Sequence, residues 1–429
     1  MLHLRRWVDN LSLPKMLVAI FMLATFIRLF YLAAKPLAWS HELRFGDEPL
    51  YHGLALSLLE GKGYTFEGEP RFYPPPLYPA FIALVYWVFG ISPPAVRVVQ
   101  AILGGLLCVL VSLWATYLWG KKAGLLVGLF SAFNYTFVRM AFFLRSENLY
   151  LPIFVVATMV TWYWVANHCH WSKGILSGTL WTLSILVREA AKPIVFLIAI
   201  WVALRNNWQR AALLLIALLV TMLPWSVRNR LVAKYVTRAT VVEGKSRLQL
   251  PLFLRLLPGG LMYISFGPPG LGPRVLGDWN IGPDILPPKF PPDLPPSERE
   301  KWLVSETISY IRSNPVKATI GRIPRKFVNI LMPFQSTASL KVKILLTLWY
   351  LALLILSIPS WWQAWRSSET LERYFAELVL IIASFTIAFH TLFFGVVRYR
   401  YPVDVLLLVA IGRWALKWYR EEKVQNCNG

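Results

Sequence analysis

The sequence predicts an all-α polytopic membrane protein. Apolar residues make up 56% of the 429 residues, the mean hydropathy is +0.51, and apolar runs recur along nearly the whole chain. The first run, LPKMLVAIFMLATFIRLFYLAA, continues for a full bilayer crossing, whereas the apolar core of a cleaved signal peptide is short. We therefore expect it to remain as the first transmembrane helix.

Hydropathy predicts ten membrane-spanning helices. They lie near 14–34, 95–119, 122–142, 148–167, 173–188, 191–205, 209–225, 342–362, 374–394 and 401–416. An eleventh run, PLYPAFIALVYWVFG at 76–90, would give a helix of only about 22 Å against a hydrocarbon core of about 30 Å. Omitting it places most Lys and Arg of the short loops in the cytoplasm. We therefore predict two helices lying along the outer membrane face, formed by this run and the amphipathic DEPLYHGLALSLLEG before it.

The resulting topology places four segments on the outer side of the membrane. They are a first outer loop at 35–94, a second at 143–148, the REAAK turn at 188–192, and a long loop at 226–341. We divide the chain into an N-terminal transmembrane module (1–225), this long loop, and C-terminal helices with a short cytoplasmic tail (342–429).

The long loop has two predicted parts. It begins as Pro/Gly-rich irregular chain with PPGLGP and LPPKFPPDLPP, and it ends in amphipathic helices around 296–331. Its high Pro and Gly content would allow 259–296 to order over a bound substrate.

The charge distribution argues against a nucleic-acid partner. The formal net charge is +22, but the basic residues are scattered between apolar segments instead of lying on one soluble domain. Membrane orientation and phosphate-bearing lipid substrates explain this charge better. The three cysteines define no disulfide or zinc framework. His168, Cys169 and His170 lie in a predicted cytoplasmic turn without a further ligand nearby, so we expect no metal there.

Two adjacent carboxylates, Asp47 and Glu48, follow the first span. Asp47 can cap a helix that starts near Pro49, with Glu48 adding a favourable charge in its first turn. A carboxylate beside apolar walls can also accept a proton from a hydroxyl or an amine. Glu147 and Glu189 lie at ends of neighbouring spans on the same side, and acids at such depths are candidates for function. Both interpretations of the Asp–Glu pair remain open.

The order of several motifs resembles a known family. The motifs are DEPLYHGLALSLLEG, YPPPLYPAFIALVYWVFG, FLRSENLYLPIFVVA, LSILVREAAKPI, LPWSVRNRLV, SYIRSNPVKATIGRIPRKF and RYRYPVDVLLLVAIG. In this order and spacing, over roughly 14–416, they resemble the GT-C membrane glycosyltransferases, nearest the branch of protein O-mannosyltransferases and aminoarabinose transferases. The resemblance implies sugar transfer from a polyprenyl-phosphate carrier to an acceptor on the non-cytoplasmic face.

The resemblance also implies roles for single residues. Asp47 matches the first-loop acid that deprotonates the acceptor, Glu48 completes the pair, and Glu147 matches the second-loop acid that orients acceptor, donor sugar or a divalent ion. The departing lipid phosphate needs positive charge, which forked guanidinium donors supply well. The candidates lie at outer helix ends and could instead reach toward lipid headgroups: Arg188, Arg228, Arg398 and Arg400.

Contacts to sugar or acceptor are predicted in the first outer loop. Tyr73 and Tyr78 could stack on a sugar, as could Trp225. His52, one turn after the acids, could join an acceptor or metal site. Arg71 is a further candidate for contact with the sugar or acceptor. The aminoarabinose transferases carry an acid and a lysine just before the paired prolines, where this chain has RFYPPP. A metal site built on that acid is therefore not expected, and the metal requirement stays unknown.

The sequence therefore favours an inverting glycosyltransferase in the cytoplasmic (inner) membrane, with its active site on the periplasmic or extracytoplasmic face. The donor would be an undecaprenyl- or dolichyl-phosphate sugar, and the acceptor a lipid, polysaccharide or surface polymer. Transfer to a protein is the alternative, less favoured without large lumenal repeats or a soluble C-terminal domain. A flippase of lipid-linked sugars is a second alternative, but no internal repeat is seen and the acids gather at one face. A non-catalytic scaffold would leave the outer acids unexplained.

Overall fold

A computed structural model describes residues 12–43, 46–241, 291, 299–334, 339–393 and 395–416. The described chain is almost entirely helical, with one two-stranded hairpin, Thr65–Phe66 (β1) and Glu69–Pro70 (β2). The first ten helices are α1 (Leu13–Ala33), α2 (Glu48–Leu59), α3 (Leu77–Phe89), α4 (Pro93–Trp119), α5 (Lys121–Ala132), α6 (Tyr135–Met140), α7 (Glu147–Ala166), α8 (Ser172–Val187), α9 (Lys192–Arg205) and α10 (Trp208–Val241). The later ones are α11 (Arg299–Ser313), α12 (Pro315–Ala318), α13 (Ile323–Leu331), α14 (Leu340–Trp365), α15 (Thr370–Leu392) and α16 (Tyr401–Ile411).

The described residues form two compact units. The first consists of the described parts of Met1–Arg230, Leu348–Ile382 and Pro402–Gly429. The second consists of those of Leu231–Thr347 and Ala383–Tyr401.

Within the described residues, six helices are long and apolar enough to cross a membrane: α1, α4, α7, the Trp208–Val232 part of α10, α14 and α15. These correspond to six of the ten predicted spans. The predicted spans 173–188, 191–205 and 401–416 form helices of 16, 14 and 11 residues. The count of ten crossings therefore stays a prediction.

The predicted continuous span at 122–142 is wrong, because the chain forms two helices there. Residue Phe133 ends α5, and the side chain of Asn134 accepts hydrogen bonds from the backbone N–H groups of Thr136 and Phe137. An asparagine in this position starts a new helix by satisfying its first amide groups. The break sets the direction of α6, which leads to the turn before α7.

The prediction that irregular chain begins at 226 is also wrong. Helix α10 continues to Val241, and no Gly or Pro interrupts the sequence between Ser226 and Val241. The predicted helices near 296–331 are confirmed as α11, α12 and α13. The predicted substrate-ordering part, 259–296, lies outside the described residues except for Pro291.

The two helices predicted in the first outer loop are present as α2 and α3. The hairpin β1–β2 packs against α2, where the ring of Phe66 occupies the space that a side chain at Gly53 would fill. The Ser57 hydroxyl donates to the Gly63 carbonyl at 2.9 Å and lies 2.6 Å from the Thr65 hydroxyl. These contacts fix the helix that carries the acid pair; its position at the membrane face stays a prediction.

The first half of α15, up to Ile382, is held in the first unit by two buried carboxylates. Each accepts two hydrogen bonds from a guanidinium and one from an indole N–H, at distances from 2.6 to 3.1 Å. The two sets are Glu372 with Arg413 and Trp119, and Glu377 with Arg205 and Trp201. Buried charges persist when they are paired and hydrogen-bonded in this way.

Helix α8 carries a GxxxG pattern, formed by Gly174 and Gly178, where neighbouring helices approach closely. A Cβ at Gly178 would collide with the Leu214 carbonyl oxygen and with Ala217 on α10. We expect Gly178→Ala to destabilise the protein by about 1–3 kcal/mol, because backbone of α10 must move to make room. Thermal unfolding in detergent, followed by tryptophan fluorescence, measures the effect.

The control for this prediction is Leu176→Ala on the same helix, since Leu176 is 42% exposed. Its melting temperature should stay close to that of the parent. Equal melting temperatures for the Gly178→Ala variant and the parent would show that α8 and α10 do not approach as closely as described.

Candidate active site

Three carboxylates lie at the N-terminal ends of two helices in the first unit. Asp47 is the residue before α2, Glu48 is its first residue, and Glu147 is the first residue of α7. Asp47 is half-buried, whereas Glu48 and Glu147 are 1% and 2% exposed. Asp47 occupies the predicted N-cap position, but its side chain makes no capping hydrogen bond. Of the three acids, Asp47 is the most accessible.

Glu147 is paired with Arg188. The distance between Glu147 Oε1 and Arg188 Nη1 is 2.7 Å, and both side chains are largely buried. Arg188 ends α8 in extended backbone, with φ of −150° and ψ of 116°, and this turns its side chain back toward the start of α7. Two expected site residues from distant parts of the sequence therefore meet, and they form a charge-neutral pair in a buried place.

Tyr51 and Ser146 connect this ion pair to α2. The Tyr51 hydroxyl donates to Ser146 Oγ at 3.4 Å, and Ser146 Oγ also lies 3.4 Å from Arg188 Nη1 and from Glu147 Oε2. Burial raises the pKa of Tyr51, and the negative charges of Asp47 and Glu147 raise it further. Tyr51 therefore keeps its proton at neutral pH and acts as a hydrogen-bond donor between the two acid-bearing helices.

Glu48 and Asn148 organise the turn before α7. Glu48 Oε1 accepts a hydrogen bond from the Leu144 amide at 3.0 Å. The Asn148 side-chain amide donates to three carbonyls, those of Met140, Phe143 and Arg145, at 3.1 to 3.2 Å. The hydrogen bond from the Leu144 amide makes Glu48 an anchor between α2 and the turn. This role differs from the reaction chemistry expected for the pair of Asp47 and Glu48.

The aromatic and histidine candidates in the first outer loop are distributed differently from the prediction. Tyr78 is fully buried, with its hydroxyl donating to Gln100 Oε1 at 2.6 Å and its ring edge-to-face with Tyr51. This burial corrects the prediction that Tyr78 stacks on a sugar. Its ring packs against Tyr51 instead. Tyr73 is 43% exposed, so its ring can meet a ligand.

His52 lies beside Tyr86, with its Nδ1 atom 2.9 Å from the Tyr86 hydroxyl. Burial lowers the pKa of His52, and the nearby His41 lowers it further, so its ring is neutral at pH 7. Among the described residues, no group of three or more His, Cys, Asp or Glu side chains could hold a metal ion. A divalent ion at Glu147 or His52 stays a prediction.

Arg228 clamps the first outer loop to α10. Its guanidinium donates to the carbonyl oxygens of Arg71 and Tyr64 and lies over the rings of Tyr64, Phe72 and Trp225. Trp225 itself packs edge-to-face against Tyr64. These contacts give Arg228 a positioning role, and its expected contact with a donor phosphate stays a prediction.

We expect Arg228→Lys to loosen the segment 64–75. A lysine keeps the charge but loses the forked geometry that reaches two carbonyls at once. Losing a hydrogen bond from a charged donor costs about 1.5–3 kcal/mol, which corresponds to roughly tenfold to hundredfold faster amide exchange in this segment. Hydrogen exchange read by mass spectrometry measures it.

Arg230→Lys serves as the control, because Arg230 is an exposed arginine two residues further along α10. Exchange in 64–75 should not change in this variant. If the two variants exchange alike in that segment, Arg228 is not the residue that holds it.

Arg398 and Arg400 lie in the second unit. Arg400 is buried and donates through Nη1 to the carbonyls of Ile330 at 2.9 Å and Met332 at 3.1 Å, so it caps the C-terminal end of α13. This contact corrects the expectation of a phosphate-binding Arg400. Arg398 is half-buried, with its guanidinium 5.7 Å from the Tyr399 ring centre, and its expected role stays a prediction.

The sequence did not reveal several residues that hold the acid-bearing helix ends and the end of α13. Lys326 on α13 donates to the Leu392 carbonyl at 2.8 Å, and burial, followed by the charge of Arg322, lowers its pKa to about 8. The remaining missed residues, Tyr51, Arg97, Gln100 and Ser146, lie in or beside helices that read as ordinary apolar segments. Arg97 and Gln100 offered a signal, because both are polar residues inside the predicted span 95–119.

Residues 74–226, which include Glu147 and Arg188, match the family model described as dolichyl-phosphate-mannose-protein mannosyltransferase. No curated protein has a matching sequence.

Two solved structures share the fold over 96% of this chain. One is ArnT from Cupriavidus metallidurans bound to undecaprenyl phosphate, with a TM-score of 0.54 and 14% identity. The other is the archaeal oligosaccharyltransferase AglB from Archaeoglobus fulgidus, in complex with an inhibitory peptide and a dolichol-phosphate, with a TM-score of 0.51 and 13% identity. This chain spans 63% of the ArnT chain and 52% of the AglB chain.

At these identities the structural similarity concerns the fold. The family match and the two structures confirm the resemblance to the GT-C glycosyltransferases of the ArnT- and protein mannosyltransferase-like type. Together with the six apolar helices, they identify the chain as a multi-pass membrane protein.

Proposed function

We propose that this protein is an inverting glycosyltransferase that moves a sugar from a polyprenyl-phosphate donor to an acceptor on the extracytoplasmic face of the membrane. The observation that carries the proposal is the buried pair of Glu147 and Arg188, which Ser146 and Tyr51 join to α2, the helix that Asp47 precedes. Residues 74–226 of the same chain match a family described as dolichyl-phosphate-mannose-protein mannosyltransferase. The lipid phosphates bound to ArnT and to AglB support a lipid carrier for the donor.

In the proposed reaction, Asp47 is the general base. Its carboxylate takes the proton of the acceptor hydroxyl or amine while the acceptor oxygen or nitrogen bonds to the anomeric carbon of the sugar. The bond between this carbon and the phosphate oxygen breaks, and the polyprenyl phosphate leaves with the bonding electrons. Displacement from the opposite face inverts the anomeric configuration. Asp47 suits this role because it is the accessible carboxylate of the three.

The other residues of the group position the reacting partners. Glu147 and Arg188 hold each other in the buried ion pair, and Ser146 with Tyr51 ties this pair to α2. A fixed arrangement of charges and donors lowers the barrier without reorganising during the reaction. Which arginines face the departing phosphate stays a prediction.

The acceptor has two candidate classes. The sequence favours a lipid, polysaccharide or surface polymer. A protein acceptor is the second candidate, because the matching family is described as a protein mannosyltransferase and AglB is bound to an inhibitory peptide. We place the enzyme in the cytoplasmic membrane, with the acids on its outer face.

The test is transfer of radiolabel from a panel of polyprenyl-phosphate sugars by the purified full-length protein in detergent. Membrane lipids, envelope polysaccharide and Ser/Thr-containing peptides are supplied as separate acceptors. Label in one acceptor pool supports the proposal and identifies the acceptor class. If no acceptor is labelled and the protein instead moves lipid-linked sugar across vesicle membranes, the proposal is wrong and the transporter alternative holds.

A further inference from the structure

Arg97, in the second turn of α4, contacts two connections of the chain at once. Its side chain is buried, at 2% exposure. Nε donates to the Phe142 carbonyl at 3.1 Å, and Nη1 donates to the carbonyls of Ala38 and Ser40, each at 2.8 Å. Nη2 donates to the Glu42 carbonyl at 3.3 Å. All three nitrogens of one guanidinium are therefore used on main-chain oxygens.

These oxygens belong to the two connections that lead to the acids. Ala38, Ser40 and Glu42 lie in the described part of the α1–α2 connection, 34–43, which precedes Asp47 in the chain. Phe142 lies in the α6–α7 connection (141–146), which ends just before Glu147. The rigid guanidinium plane sets the distance between the two connections, because its donors point in fixed directions.

Gln100 lies one turn further along α4 and is fully buried. Its side-chain amide donates to the carbonyls of Ala141 and Phe143 at 3.2 and 2.9 Å, and its oxygen accepts from the Tyr78 hydroxyl. Gln100 therefore contacts the α6–α7 connection but not the α1–α2 connection. This difference provides a matched comparison with Arg97.

A buried cation is costly unless it is paired and hydrogen-bonded, and the Arg97 guanidinium has both kinds of partner. The carboxylate of Glu48 interacts electrostatically with the Arg97 guanidinium, and Glu48 also accepts from the Leu144 amide of the same α6–α7 connection. Arg97 therefore lies at the centre of the contacts that join the two acid-bearing ends.

We infer that Arg97 is a positioning residue that sets the separation of Asp47 and Glu147, with Gln100 fixing only the second of these two ends. The inference rests on the proposed function for its activity readout, but its structural readout does not. Arg97 touches neither donor nor acceptor in this role and acts through the two connections.

The experiment compares Arg97→Met, Arg97→Lys and Gln100→Leu in the full-length protein. Hydrogen exchange should accelerate in both connections for the two Arg97 variants, and in the α6–α7 connection alone for Gln100→Leu. In the transfer assay, a displacement of the acids by about 1 Å costs roughly 10²-fold in turnover. We therefore expect kcat to fall by about 10² in Arg97→Met, with the donor KM within a few-fold of the parent.

Arg28→Met is the matched control. Arg28 is a fully buried arginine of the same unit, and it donates to the Ala24 carbonyl at 2.8 Å and to Cys108 Sγ at 3.4 Å. Its loss disturbs packing between α1 and α4 and leaves both connections in place. If Arg97→Met fails to fold, Arg97→Lys carries the test, since it keeps the charge and loses the fork.

The outcomes separate this inference from the proposed function. Faster exchange in both connections, specific to the Arg97 variants, supports the inference even if the parent transfers no sugar. Unchanged exchange in folded Arg97→Lys and Arg97→Met overturns it, as does a loss of kcat in Arg28→Met equal to that in Arg97→Met.

Discussion

Asp47→Asn is expected to lower the turnover of sugar transfer by about 10²–10⁴ while leaving donor binding within a few-fold of the parent. General-base catalysis by a positioned side chain contributes a factor of this size. Asparagine keeps the shape of the side chain and removes its ability to take a proton. Because the Asp47 side chain makes no capping hydrogen bond, we expect the start of α2 to persist in the variant.

The measurement pairs single-turnover transfer with binding of the radiolabelled donor. Glu60→Gln is the matched control, because Glu60 lies at the opposite end of α2 and pairs with Lys62 at the surface. Its turnover should equal that of the parent. If Asp47→Asn turns over normally, the base lies elsewhere, and Glu48→Gln and Glu147→Gln become the variants to test.

Breaking the pair between Glu147 and Arg188 is expected to have the largest effect on stability. Removing one partner of a buried ion pair leaves the other charge without compensation, at a cost of about 3–5 kcal/mol. We therefore expect both Glu147→Gln and Arg188→Met to melt well below the parent. The double variant should recover part of the loss, because it buries no charge at this place.

A double-mutant cycle by thermal unfolding in detergent measures this coupling. The exposed pair of Glu60 and Lys62, at 2.6 Å, provides the comparison, since exposed pairs contribute roughly 0–1 kcal/mol. If the losses of stability in the Glu147 and Arg188 variants are additive, the two side chains act independently and the pair does not hold the turn before α7.

Local signals in the sequence located the acid-bearing helix ends well. Pro49 and the apolar spacing after it predicted α2, and the change from FLRSEN to a long apolar run predicted the start of α7. Hydropathy also predicted the six long apolar helices, because a membrane span needs a continuous stretch of apolar residues. The break at Asn134 was missed, since a single capping residue does not lower the hydropathy of the window around it.

The partners of the site could not be read from the sequence. Tyr51 and Ser146 are 95 positions apart, and only the packed helices bring them together. Arginines at helix ends were grouped as phosphate ligands because their residue type suits phosphate. The same type also caps helices and holds loops, as Arg400 and Arg228 do, and only the acceptors in the fold distinguish these uses.

The two carboxylate sets on α15 carry a consequence for evolution. Substitution of one partner leaves a buried charge unpaired, which is costly. We therefore expect substitutions at the two positions of a pair to occur nearly together during evolution. In relatives of this protein, we expect Glu372 to covary with Arg413 and Glu377 with Arg205. The exposed Glu60 and Lys62 should be substituted independently of each other. Covariation among relatives would therefore identify the ion pairs on which the fold depends.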